Sequence, residues 1–168
     1  MNLGIAREAW PPFAAEVIHI VLVAPEIPHN AGAAGRLALA TGARLHLVKP
    51  LGFSLDDKHV RRTGLDYWQD VDLHVWDSFE DLKATVDSAA RFWYLSKKAT
   101  RAHWDAEYRD GDYLIFGCET KGLPEAMIEA AGDHAVRIPM VEGGTRSLNL
   151  STAIAITLYE AVRQGGEL

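Results

Sequence analysis

The chain has 168 residues, 48% of them apolar and 24% charged, and a formal charge of −6, an ordinary composition for one domain with a real core. The negative balance argues against a protein wrapped in nucleic acid but leaves room for local basic patches. The single cysteine excludes an intramolecular disulfide framework, and no apolar run approaches the roughly 20 residues of a membrane span.

Residues 1–16 carry Arg7, Glu8 and Pro11-Pro12 and lack the apolar stretch of a secretion signal. A loose extension is expected there, followed by one domain over 17–168 with a cytoplasmic address. Residues 17–23 are near-continuously apolar and end at Pro25, as a strand buried on both faces would be. A helix follows, with Asn30 as its expected cap, Ala34, Leu37, Ala38 and Thr41 as its inner stripe and Gly42 as its stop. A second strand spans 45–48, and a short charged helix spans 56–62, stopped near Gly64. A third strand covers 71–76. Ser78 with Asp81 three residues on predicts a capped helix through Ala90.

A fourth strand covers 92–96. Residues 97–108 are irregular, basic and aromatic. A fifth strand covers 113–118 and includes Cys118, expected to be a small core residue. Residues 119–122 turn into a helix from Pro124 to Ala131, proline suiting a first helical position. Residues 135–138 are the sixth strand. A Pro/Gly loop follows, then a helix capped by Ser147 or Asn149. Its apolar face recurs at threes and fours: Leu150, Ala153, Ile154, Thr157, Leu158, Ala161. Strands alternating with helices imply an α/β fold, a mostly parallel sheet with helices on both faces. Ligands of such sheets sit beyond the carboxyl ends of strands. The loops after the first, fifth and sixth strands, rich in Asn, Gly, Glu and Ser, can meet at one end.

The residues exclude several chemistries. No G-x-G-x-x-G follows the first strand, and no Walker lysine motif or nucleophile elbow occurs. The seven histidines show no helix pair or Cys/His cluster, so no metal is expected. His19, His46 and His74 fall in strands, where satisfied structural histidines are the default. Three polar loop clusters remain, at 30–36, 117–124 and 146–151.

Their order and spacing are Asn30-x-Gly32-x-x-x-Arg36, then Phe116-Gly-x-Glu119-x-x-Gly122-Leu-Pro124, then Arg137-Ile-Pro-Met140 and Arg146-Ser-Leu-Asn-Leu-Ser151. This resembles the SPOUT methyltransferases, and within them the small tRNA (cytidine/uridine-34 2′-O)-methyltransferases. The run from Leu51-Gly-Phe through Asp56 and Lys58 to Tyr67 is typical of that subfamily. The resemblance covers about residues 17–164. It departs at Ala33, where many relatives carry a second asparagine, and at Gly35, which replaces a bulkier residue.

The resemblance implies a C-terminal deep trefoil knot, a homodimer, and S-adenosylmethionine held by the knot loops, with Leu95, Gly117, Ile138 and Ser147 as contacts. It implies methyl transfer to a ribose 2′-hydroxyl of tRNA, at the wobble pyrimidine of the anticodon stem-loop. The cofactor already carries the reactive methyl, so the protein's work is alignment. Arg36 is the expected catalytic residue. Arginine is a reluctant base, so it would lower the hydroxyl's pKa by hydrogen bonding or orient the adjacent phosphate. Asn30 and Asn149 would hold Arg36 or the ribose, and Glu119 would buttress the knot or the arginine. Lys58, Arg61 and Arg62, beside Tyr67 and Trp68, are the expected RNA contacts; Lys97, Lys98, Arg101 and Trp104 form a second basic and aromatic group. The alternative is a non-catalytic RNA-binding dimer on the same scaffold.

Overall fold

The computed structural model describes residues 16–56, 58 and 65–165. The charged helix expected at 56–62 and its stop at Gly64 fall almost entirely outside the described residues, as do Arg61 and Arg62. The elements run β1 (His19–Val23), α1 (Pro28–Thr41), β2 (Arg44–Val48), β3 (Leu73–Trp76), α2 (Phe79–Thr85), β4 (Phe92–Leu95), β5 (Arg101–Ala102), β6 (Tyr113–Phe116), α3 (Glu125–Ala131), β7 (Ala135–Arg137) and α4 (Leu150–Gly165). Among the described residues the strands form one seven-stranded sheet, ordered β3-β2-β1-β6-β4-β7-β5. Every pairing is parallel.

Alternation along the central strands separates two cores. Ile20, Leu22, Leu45, Leu47, Leu114 and Phe116 face α1 and α4, meeting Ala34, Ala38, Ile154 and Leu158. Val21, Val48 and Ile115 face the other way, toward Phe79 and Leu82 of α2 and Met127 and Ile128 of α3. Burying each large aliphatic side chain contributes about 1.5–3 kcal/mol. The buried face of α1 is made of Ala31, Gly32, Ala34, Gly35 and Ala38, small residues that let the helix lie close to the sheet. Gly42 ends it in the left-handed region at φ 72°. No helix among the described residues is long and apolar enough to cross a membrane.

Four local expectations change. Asn30 is not the cap of α1: the helix begins at Pro28, after Ile27, and Asn30 lies buried inside the first turn. The helix opened by Ser78 is capped as expected, Ser78 Oγ accepting from the Asp81 N–H at 3.1 Å. It stops at Thr85 instead of Ala90, because Asp87 Oδ1 takes the Ala89 N–H and a local turn outcompetes the next helical turn. Pro124 sits one residue outside α3, in the cap position. The irregular segment after β4 hides the edge strand β5, whose two residues pair with β7; two residues are too few to show an alternating pattern.

The amino ends of the strands are closed by polar groups that satisfy one another. Asp112, 2% exposed, accepts from Arg91, from Trp93 Nε1 and from the Arg109 N–H. His19 and His46 are the expected structural histidines, both buried. Trp76 Nε1 can only donate, so His46 Nδ1 accepts from it at 3.0 Å. His46 Nε2 therefore carries the proton and donates to His19 Nδ1 at 2.8 Å. Tyr113 stacks on His19 with ring centroids 3.9 Å apart.

Both rings are held neutral. Burial, then Arg44 and His74, drop the pKa of His19 to about 4. Burial, then His19 and His74, drop that of His46 to about 3. An unfolded histidine binds its proton below about pH 6.5. Between that value and the folded pKa the unfolded state holds more protons, so stability falls as pH falls. At pH 5 the two rings together take up about two protons on unfolding, and His19→Gln leaves about one. The pH slope of the urea-unfolding free energy, compared between the two proteins from pH 5 to 6.5, checks this.

Candidate active site

The carboxyl ends of β6, β4 and β7 lie side by side, and the three loops leaving them line a cleft of about 420 Å³. That is within the usual size for a small-molecule site. Leu95 closes β4, Gly117 follows β6 and Ile138 follows β7, so all three reach the cleft. Ser147 reaches it from the loop before α4, and Asn30, Glu119 and Asn149 complete the group. Seven of the eight residues expected for cofactor or catalysis thus share one wall system. The exception is Arg36.

The loop after β6 folds back on itself. Gly122 N donates to Cys118 O at 3.0 Å, and Gly122 adopts φ +69°. A Cβ on Gly117 would lie 2.1 Å from both Gly122 C and Leu123 N, so the close approach of two backbone segments requires glycine there. Cys118 is not a core residue. It is half-buried on the cleft wall, its Sγ 3.7 Å from Gly122 O, because the strand ends at Phe116 and the chain has already turned. At α4 the cap is Asn149, whose Oδ1 accepts the Ser151 N–H at 2.9 Å. The carbonyl of Ser147 instead accepts from Thr145 Oγ1.

Glu119 crosses to the segment entering α1. Its carboxylate accepts from the Glu26 N–H at 2.7 Å, the Ile27 N–H at 3.0 Å and Asn30 Nδ2 at 3.0 Å. Among the described residues it meets no arginine. Asn30 is 1% exposed, and with Nδ2 committed to Glu119 its Oδ1 is left buried without a partner. A buried acceptor without a donor costs about 1–3 kcal/mol, so Asn30 is a residue of the cleft wall with hydrogen-bonding capacity unspent. Just upstream, Ala24 sits at φ 52°, a conformation that side-chain-bearing residues rarely adopt.

Arg36 is exposed on α1, outside the cleft of its own chain. No hydrogen bond or ion pair holds its guanidinium among the described residues. The structure accounts for Gly35 beside it: a Cβ there would lie 2.6 Å from the Trp68 ring, so the indole uses the space. Lys58 is exposed. The second basic group divides. Lys97 and Lys98 line the cleft with Lys121, and Trp104 is exposed. Arg101 turns inward, donating to the carbonyls of Asp133 and Asp105 and lying over the Trp93 ring; its guanidinium is spent on the fold. Sequence reasoning placed Lys121 inside a candidate loop without giving it a role, and missed Glu26, which lies outside the cleft lining but bonds the Thr120 turn. A charged residue in a loop looks like ordinary surface. No three His, Cys, Asp or Glu side chains gather to hold a metal among the described residues.

The SpoU rRNA Methylase family profile matches residues 17–159. The chain is 48% identical over 154 residues to the tRNA (cytidine(34)-2′-O)-methyltransferase of Saccharophagus degradans, covering 89% of this chain and 97% of that protein. A solved structure concerned with the 2-OH methylation of C/U34 on tRNA superposes with a TM-score of 0.82 at 44% identity, covering 89% of this chain and 96% of that one. An AdoMet-bound rRNA methyltransferase from Sinorhizobium meliloti superposes with a TM-score of 0.78 at 25% identity, covering 88% of this chain and 56% of that one.

Because the atoms met by a Gly117 Cβ are backbone, Gly117→Ala is expected to cost more than the roughly 1–3 kcal/mol typical of overpacking. The same methyl at Gly35 meets a movable side chain and gains helix propensity, so Gly35→Ala costs less. Urea-denaturation midpoints of the two variants, compared with the parent, test the order.

Proposed function

Because this chain belongs to the SpoU rRNA methylase family, we propose that it transfers a methyl group from S-adenosylmethionine to the ribose 2′-hydroxyl of the pyrimidine at position 34 of tRNA. The observation that carries the reading is that one cleft, at the ends of β4, β6 and β7, is lined by residues from all three family motifs. The position is supported by the relatives, named for cytidine 34 and for C/U34.

The cleft suits the proposed donor. Leu95, Ile138, Leu148 and Leu150 offer apolar walls, Lys97 and Lys121 offer charge for a carboxylate, and Asn30 Oδ1 offers an acceptor. When bound, the donor supplies a methyl on a sulfonium. Leu95, Gly117, Ile138 and Ser147 hold it, and Asn149 fixes the entry of α4. The chain's task is to place the 2′-oxygen in line with that methyl and to favour loss of the hydroxyl proton. Arg36 does the second by donating hydrogen bonds to the oxygen. Lys58, Arg61 and Arg62 meet the phosphates.

Arg36 lies outside its own cleft, so we place it at the cleft of a second copy, which makes the working unit a homodimer. An apolar face supports such an assembly: Ile156 and Tyr159, three apart on α4, are 37% and 44% exposed. We also read the return from β7 through 138–149 into α4 as the threaded segment of a trefoil knot.

The test is transfer of labelled methyl to undermethylated tRNA followed by alkaline hydrolysis. A 2′-O-methyl blocks cleavage at its own nucleotide, so label is expected in an alkali-resistant dinucleotide spanning position 34. Label in mononucleotides would discard the ribose. Arg36→Ala is expected to lower the rate at least about 100-fold, the scale of a lost electrostatic donor, with donor affinity unchanged. Co-expressed Arg36→Ala and cleft-filling Ile138→Trp chains are expected to recover about a quarter of wild-type activity, since half the random dimers then hold one intact composite site. No recovery would place Arg36 in its own chain's site.

A further inference from the structure

β1 and β6 are parallel neighbours, with Leu22 beside Phe116, so the loops leaving them emerge together. Glu26 lies four residues past Leu22, and Glu119 three past Phe116. Each carboxylate crosses to the other's loop. Glu119 takes the N–H groups of Glu26 and Ile27. Glu26 takes the Thr120 N–H at 3.0 Å and the Thr120 hydroxyl at 2.9 Å. Thr120 stands at the tip of the 117–122 turn that lines the cleft. Inside that turn the closing backbone bond is the one from Gly122 to Cys118.

The loop bearing Glu26 is braced from behind. Gly52 N donates to Pro25 O at 2.9 Å. A Cβ on Gly52 would lie 2.7 Å from both Glu26 Cα and Glu26 O, so the two backbones are in direct contact. Glu26 is therefore held on one side by main chain and spends its carboxylate on the cleft turn on the other.

We propose that Glu26 is a positioning residue for methyl transfer, which fixes the Thr120 turn in the form that closes the donor cleft. The inference rests on the reading of this cleft as the donor's site. Both bonds from Thr120 are exposed, so water replaces them if the carboxylate is lost and the fold is little affected. The turn then samples more conformations, and the donor must order it on binding. The cost falls on affinity for the donor, not on stability or on the step that follows.

Three variants of the full chain test this: Glu26→Ala, Glu26→Gln and Gly52→Ala. The readouts are Kd for S-adenosylmethionine by calorimetry, KM and kcat for tRNA methylation, and the thermal midpoint. Glu26→Ala is expected to raise Kd and KM for the donor about tenfold, the scale of ordering one loop, with kcat at saturating donor and the thermal midpoint nearly unchanged. Glu26→Gln is expected to restore affinity, because its carbonyl accepts the Thr120 N–H and its amide donates to Thr120 Oγ1. Gly52→Ala shifts the Glu26 main chain and is expected to raise KM without altering any side chain of the pair. An unchanged KM in Glu26→Ala, a lowered thermal midpoint with KM intact, or a glutamine variant as impaired as alanine overturns the role. A wild-type protein that binds no donor overturns the reading of the cleft and this role with it; a wild type that binds, with all variants like it, overturns the role of Glu26 alone.

Discussion

The carboxylate of Glu119 takes three N–H donors from the segment that enters α1, and Glu26 from that segment takes two donors back. The exchange follows from the sheet. Two parallel neighbours release their loops at the same edge, and each loop has amide groups that its own element cannot satisfy. α1 starts without a side-chain cap of its own. A carboxylate from another loop fills that need and lies where the helix dipole favours negative charge. Hydrogen bonds to an ionised acceptor are roughly twice as strong as neutral ones. One contact thus links the helix that carries Arg36 to the turn that walls the cleft, and it leaves Asn30 Oδ1 buried in that wall.

The two ends of the sheet divide the labour. At the amino ends the buried polar groups described above have partners: Asp112 with Arg91 and Trp93, and His19 with His46. That end is closed and holds the strands in register. At the carboxyl ends the loops are longer, the lysines are exposed and an acceptor waits unpaired. Parallel strands put all their outgoing loops at this edge, so a three-loop cleft is a consequence of strand direction before it is a matter of any one residue.

The sequence shows this architecture because buried parallel strands read as apolar runs, as at 17–23 and 113–116, and because α4 repeats its apolar residues at helical spacing. Glycines were legible as turn formers, but not what they make room for. Gly35, where the resembled family carries a bulkier residue, proves to be the seat of Trp68. Gly117 makes room for a contact between two backbones, and which backbone it meets is what the loop pattern leaves unsaid. Asn30 looked like a cap because Asn before a helix usually is one; a carboxylate 89 positions away claims its amide instead. Arg101 looked like part of a basic patch until its carbonyl partners were seen. Local pattern reports which residues turn or pack. It does not report which distant loop a side chain reaches.

The most direct test of the linkage between cleft and α1 is amide hydrogen exchange of the full chain with and without S-adenosylmethionine. Protection on binding is expected at 95–98, 117–122 and 138–149, the three loops of the cleft. It is also expected at 24–26, which lies outside the cleft lining and reaches it through the Glu26 and Glu119 carboxylates. Protection confined to the cleft-lining residues, with 24–26 exchanging as before, would contradict the coupling. Protection elsewhere on the sheet would contradict the cleft itself.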